Sequence, residues 1–128
     1  MLLVRTYLDL SNIHGVGLFA AQNIAKGTVI WRLNPVIDRK LSAQEIEALA
    51  PPAQEQVRKY TYQDRILGQF VLCVDDARFF NHQENPNCLD YPDENGGCTM
   101  AARDIREGEE LTCDYASFDA LHVPYEQR

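Results

Sequence analysis

At 128 residues and 14.6 kDa the chain has the size of one domain, and its 45% hydrophobic and 24% charged residues exclude a disordered or collagen-like polymer. The longest apolar run, Phe70 to Val74, falls far short of the roughly 20 residues of a membrane helix, and Arg5 cuts off Met1-Leu2-Leu3-Val4, so transmembrane and secreted classes are disfavoured. The net charge of −7 argues against nucleic acid as a direct partner, because phosphate binding rests on clustered Lys and Arg.

Along the chain the pattern is mostly β. Leu3 to Leu10 reads as a strand, Ser11 to Gly15 as a turn, Gly17 to Ala21 as a second extended segment, and Thr28 to Leu33 as a strand after the break at Lys26-Gly27. Ser42-Ala43-Gln44-Glu45 is a capping box that opens a short helix carrying Ile46 and Leu49, stopped by Pro51-Pro52. A second helix starts at Pro52 and runs to about Tyr60, Gln69 to Val74 forms a buried strand, and Asp75 to His82 makes a polar or helical turn. Two strands, Cys98 to Ile105 and Glu110 to Tyr115, flank a tight turn at Arg106 to Glu109, and the tail from Ser117 is irregular. One pattern occurs twice: Ala20-Ala21-Gln22-Asn23-Ile24 through Gly27 to Ile30 echoes Ala101-Ala102-Arg103-Asp104-Ile105 through Gly108 to Leu111. Either the same corner is used twice or short β sequences coincide.

Cys73, Cys88, Cys98 and Cys113 include no Cys-x-x-Cys pair, which fits free thiols in a reducing compartment better than a zinc site. Charge is uneven: residues 1–74 carry 8 basic and 6 acidic side chains, residues 75–128 carry 4 and 13. The acidic half either attracts a basic peptide or simply keeps the surface solvated. Gly15-Val16-Gly17-Leu18-Phe19-Ala20 matches the loose form of a dinucleotide fingerprint, but the stretch from Gly17 to Gly27 is too short for a crossover helix. Arg78-Phe79-Phe80-Asn81-His82 with Pro86-Asn87 sets donor and acceptor side chains beside two aromatics, as a recognition segment or a capped turn.

Together, Gly15-Val16-Gly17, Arg78-Phe79-Phe80-Asn81-His82 with Pro86-Asn87, and Gly108-Glu109-Glu110-Leu111 with Asp114-Tyr115 resemble the motif set of the SET-domain family of protein lysine methyltransferases. The likeness runs from about Arg5 to Phe118 and is similar to minimal viral and bacterial members without pre-SET or post-SET zinc modules. It implies a mostly β, β-clip-like fold of several small sheets, one or two short helices and a C-terminal pseudoknot. A single domain over 1–128, with its core at about 5–118 and a tail at 119–128, follows. The resemblance also implies S-adenosyl-L-methionine as cofactor, held by Gly15, Val16, Gly17, Arg78, Phe79, Asn81, His82 and Phe118, and no metal. Tyr115 becomes the active-site tyrosine, with Tyr60 or Tyr62 as the second.

The implied substrate is a lysine in a basic, histone-like or other lysine-rich protein, with no nucleic acid or membrane partner, and a homodimer is worth testing. The expected location is the cytoplasm, or a nucleus, including a host's if the chain is a viral or secreted effector. Gln83 and Glu84 replace the family's Ser-Cys, and Arg32 stands near where many members have Glu. These departures leave two rivals: a catalytically weak cofactor- or peptide-binding module, and an acidic protein-interaction domain.

Overall fold

The computed structural model describes residues 1–117 and 119 of the chain. In chain order the regular elements are β1 (Thr6–Leu10), β2 (Val16–Ala20), β3 (Val29–Arg32), β4 (Arg39–Leu41), α1 (Ala43–Glu47), α2 (Pro51–Tyr60), β5 (Thr61–Gln63), β6 (Phe70–Leu72), β7 (Asn81–His82), β8 (Cys88–Tyr91), β9 (Cys98–Ala101) and β10 (Thr112–Cys113). Single 3-10 turns cover Asp76–Phe79 and Tyr115–Ser117. Among the described residues the strands form four small sheets: the hairpin β1-β2, the orders β3-β9-β8 and β4-β6-β5, and the pair β10-β7. The expected mostly β architecture with short helices is therefore present. All four sheets drain into one core in which Leu18, Ile30, Val71, Cys88, Ile105 and Leu111 are fully buried. Each such aliphatic side chain contributes about 1.5–3 kcal/mol relative to exposure.

The capping box forms as its spacing requires: the Glu45 amide donates to Ser42 Oγ at 3.1 Å, and the Ser42 amide donates to Glu45 Oε1 at 2.9 Å. Those bonds hold the Glu45 carboxyl below its usual range. The helix is shorter than expected. It ends at Glu47, before Leu49, because the Gln54 side-chain amide takes the Glu47 and Leu49 carbonyls at 3.1 and 2.8 Å and turns the chain directly into α2. α2 itself opens one residue early, at Pro51, where a missing N–H costs nothing.

The sequence echo is a local two-fold. Ile24 and Ile105 exchange both backbone hydrogen bonds at 2.8 Å, and the Gly27 amide donates to the Ala101 carbonyl just as the Gly108 amide donates to that of Ala20, each at 2.8 Å. Side chains obey the same symmetry: the Lys26 amide donates to Asp104 Oδ1 at 2.8 Å, and the Glu107 amide to Asn23 Oδ1 at 2.9 Å. Hence Arg106 to Glu109 is not the turn of a hairpin. Its partners lie in the first copy, β9 pairs with β3 and β8, and β10 pairs with β7. The two-fold lays the second copy along β2, where the Leu111 amide donates to the Leu18 carbonyl at 2.7 Å, and so delivers residues 110–115 to the site.

Gly27 and Gly108 occupy equivalent left-handed positions, with φ of 85° and 93°; a Cβ on Gly27 would meet open space and one on Gly108 no more than ordinary contact with the Tyr7 hydroxyl at 4.0 Å. Gly108→Ala is therefore expected to cost about 1–2 kcal/mol through backbone conformation alone, read as a lower urea midpoint at unchanged slope. An unshifted midpoint would contradict that account.

Candidate active site

The site is assembled by the loop between β1 and β2, the segment Asp75 to Asn87, and the segment Glu110 to Tyr115. Ser11 organises the loop. Its hydroxyl accepts the Ile13 amide at 2.9 Å and lies 2.8 and 2.9 Å from the two carboxylate oxygens of Glu110. The same carboxylate accepts the Asn81 side-chain amide at 2.9 Å, and that amide also reaches the His14 carbonyl at 3.0 Å. Glu110 thus joins all three motifs. It also explains one glycine: a Cβ on Gly17 would lie 2.5 Å from Glu110 Oε2, whereas Gly15 has φ of 48° with open space beyond it.

Gly17 therefore makes room for a carboxylate that Ser11 and Asn81 pin, and the cleft below is lined by His14, Gly15 and Val16 instead. Gly17→Ala and Glu110→Ala should each destabilise the loop, and the double variant should cost clearly less than the sum, since both act on one network. Additive losses in a double-mutant cycle of melting free energies would show that the two are unconnected.

The second motif interlocks with the third. The 3-10 turn Asp76–Phe79 is capped by Asp75, whose Oδ1 accepts the Ala77 amide at 3.1 Å. Arg78 donates from Nε and Nη2 to the Cys73 carbonyl at 3.2 and 2.9 Å and sets its guanidinium 4.8 Å from the centre of the Tyr60 ring. Phe79 packs edge-on against the same ring at 6.2 Å. Beyond them β7 runs parallel to β10, with Asn81 opposite Thr112 and His82 opposite Cys113. This is the pairing through which the implied pseudoknot is tied.

Asn87, a member of the second motif for which the sequence suggests no role, fastens the tie. Its buried amide donates to the Glu110 carbonyl at 2.8 Å and its oxygen accepts the Thr112 amide at 2.9 Å. The Tyr115 amide donates to His82 Nδ1 at 3.0 Å, and the same nitrogen lies 3.6 Å from Asp114 Oδ1. The Tyr115 hydroxyl donates to the Phe80 carbonyl.

Two cavities meet at these residues. A cleft of about 740 Å³ is lined by His14, Gly15, Val16, Arg58, Phe70, Phe79 and Asn81, and a smaller cavity of about 140 Å³ by Trp31, Tyr62, Cys73, Asp90, Thr99 and Cys113. Lys59, Tyr60, Arg78, Phe80 and Tyr115 line both, so Tyr115 stands at the junction. Tyr60 shares that junction. Tyr62 faces the smaller cavity only, where burial, helped by the nearby Cys73 thiol, pushes its phenol far above its ordinary value. Burial likewise pushes Cys73 and Cys88 up to about 12, and Cys113 well above its usual value, so these thiols are not nucleophiles. Among the described residues no group of three His, Cys, Asp or Glu side chains is arranged to hold a metal ion. Phe118, expected among the residues that hold the cofactor, lies outside the described residues.

A family model, the SET domain, matches residues 15–116. The chain belongs to the SET-domain family. It is 32% identical over 119 residues to human histone-lysine N-methyltransferase 2D and 33% identical over 128 residues to histone-lysine N-methyltransferase set1 of Dictyostelium discoideum. Each match takes in 87% of this chain but only 2% and 8%, respectively, of the relative's length. A crystal structure of a Plasmodium falciparum protein proposed to be a histone methyltransferase shares the fold, with a TM-score of 0.60 and 19% identity over 88% of this chain and 93% of that one.

Proposed function

We propose that this protein is a protein-lysine N-methyltransferase that moves a methyl group from S-adenosyl-L-methionine to the side-chain amine of a lysine in a basic protein. The observation that carries the reading is that the large cleft and the small cavity share a wall that includes Tyr60 and Tyr115, which gives donor and acceptor adjoining compartments.

The cleft suits the cofactor. Its volume is within the range of small-molecule sites, Phe70 and Phe79 offer flat apolar surface, the backbone of His14 to Val16 offers hydrogen-bonding edges, and Arg58 and Lys59 offer cations for a carboxylate. When bound, the cofactor supplies a sulfonium-activated methyl group, which the neutral lysine nitrogen takes as the sulfur–carbon bond breaks.

The chain's own task is to deliver that neutral amine in line. At the junction the rings of Tyr60 and Tyr115 exclude water and disfavour an ammonium, lowering its pKa so that the proton leaves to solvent. Tyr62, held protonated by burial, does not take it. Tyr115, anchored through its hydroxyl to the Phe80 carbonyl and through its amide to His82, aligns the amine. Asn81, fixed by Glu110 and His14, keeps the cofactor loop in place.

Titration calorimetry with S-adenosylmethionine tests the reading directly: one cofactor per chain is expected, and no heat at millimolar cofactor would remove it. Substrate recruitment follows the charge, because residues 75–128 hold 13 acidic and 4 basic side chains. With a Debye length of about 8 Å at physiological ionic strength, the KM for a basic substrate should rise as salt is raised, and a salt-independent KM would count against recruitment by charge. The free thiols suit a cytoplasmic or nuclear location, which with a homodimer belongs to the same proposal.

A further inference from the structure

The small cavity has a feature that aromatic walls alone do not explain. Trp31, Thr99 and Asp90 form one row across the sheet β3-β9-β8, Trp31 opposite Thr99 and Thr99 opposite Asp90, and all three line the cavity. Cross-strand partners put their side chains on the same face. The Thr99 hydroxyl donates to Asp90 Oδ1 at 2.6 Å, but Asp90 Oδ2 is buried with no hydrogen-bond partner among the described residues.

The other two carboxylates at this cavity are engaged: Asp64 Oδ1 accepts the Ile66 and Leu67 amides at 2.8 and 2.7 Å, and Asp119 Oδ1 accepts the Gln63 amide at 3.2 Å. A buried acceptor left open costs stability unless something else fills it. Burial pushes the Asp90 carboxyl up to about 6, against the Thr99 hydroxyl, which lowers it. A raised value means that the folded state loses stability as pH rises from the ordinary carboxylate range through that point, so at neutral pH the fold carries the charge at a cost.

Resting on the methyltransferase reading above, we propose that Asp90 is a specificity-determining residue: its Oδ2 receives the N–H groups of the substrate's lysine side chain, so that the cavity selects a primary alkylammonium over a neutral chain of the same length. The rings of Trp31 and Tyr62 add cation–π attraction to the same charge. The pair with Asp90 favours the ammonium and serves entry only: the amine leaves the carboxylate for the junction at Tyr60 and Tyr115, gives its proton to solvent there before transfer, and leaves the carboxylate as it was.

Trp31 is the only tryptophan in the chain, so its fluorescence reports occupancy of this cavity. Titration with n-butylammonium, a lysine side-chain mimic, should give saturable quenching at concentrations at least about tenfold below those needed for n-butanol, the neutral chain of the same length. Asp90→Asn should abolish that preference, raise the KM for a lysine peptide by at least about tenfold, and raise the melting temperature because the buried charge is gone. Equal responses to cation and alcohol in the wild-type protein, or no saturable response, overturn the proposal even if the variant does not fold. An unchanged cation preference in folded Asp90→Asn overturns it as well. If the wild-type protein prefers the cation yet transfers no methyl group, the Asp90 site stands and the enzymatic reading falls; if it transfers methyl groups without cation preference, the enzyme stands and the Asp90 site falls.

Discussion

Tyr115→Phe is expected to lower the methyl-transfer rate by roughly thirtyfold to a thousandfold while cofactor affinity changes little, since a lost positioning hydrogen bond at a reacting centre commonly costs on the order of 2–4 kcal/mol. The expectation comes from position. Tyr115 lines both cavities, and its hydroxyl is tied to the carbonyl of Phe80, a buried residue next to Asn81. Removing the hydroxyl frees the ring to tilt and leaves that carbonyl without its donor, so the amine and the methyl group lose their common reference point. Circular dichroism checks that the variant is folded, and calorimetry separates binding from turnover. Full activity in a folded Tyr115→Phe protein would reduce the Asp114-Tyr115 motif to packing.

Asn81→Ala should show the opposite order of effects. Asn81 is buried, and its amide bridges the Glu110 carboxylate and the His14 carbonyl at 2.9 and 3.0 Å. Hydrogen bonds to charged groups are worth about 1.5–3 kcal/mol, so the urea midpoint should fall and cofactor affinity should weaken before the chemical step is touched. A variant with wild-type stability and wild-type cofactor affinity would mean that the Ser11–Glu110–Asn81 network does not set the cleft.

Local rules carry much of the fold. Ser42 and Glu45 announce the first helix by spacing alone, and the echo of Ala20 to Ile30 in Ala101 to Leu111 is visible in the letters. What the letters do not show is that the two copies face each other, because Ile24 and Ile105 meet only through folding of everything between them. Strands of three or four residues such as Arg39–Leu41, Thr61–Gln63 and Cys88–Tyr91 are too short to display a period, and their pairing is fixed by partners elsewhere in the chain.

The site is legible to a similar depth. Its glycines, Asn81, His82 and Tyr115 stand in motifs, yet Gly17 serves the Glu110 carboxylate rather than the cleft, a relation that needs Ser11 and Glu110 in contact. Arg78 and Phe79 line the cleft, but the bonds and ring contacts seen for them support Cys73 and Tyr60. Asp90 carries no signal at all in sequence. It is one acid in a polar stretch, and its place in the cavity comes from the cross-strand register with Thr99.

The most direct test of the account is transfer of a labelled methyl group from S-adenosylmethionine to a lysine-rich protein mixture by the wild-type chain. Label should appear on lysine side-chain nitrogen, recovered as methyllysine after hydrolysis, and should fall by the expected factor in Tyr115→Phe. A folded, cofactor-binding protein that leaves every lysine unlabelled would contradict the account and leave a binding module in its place.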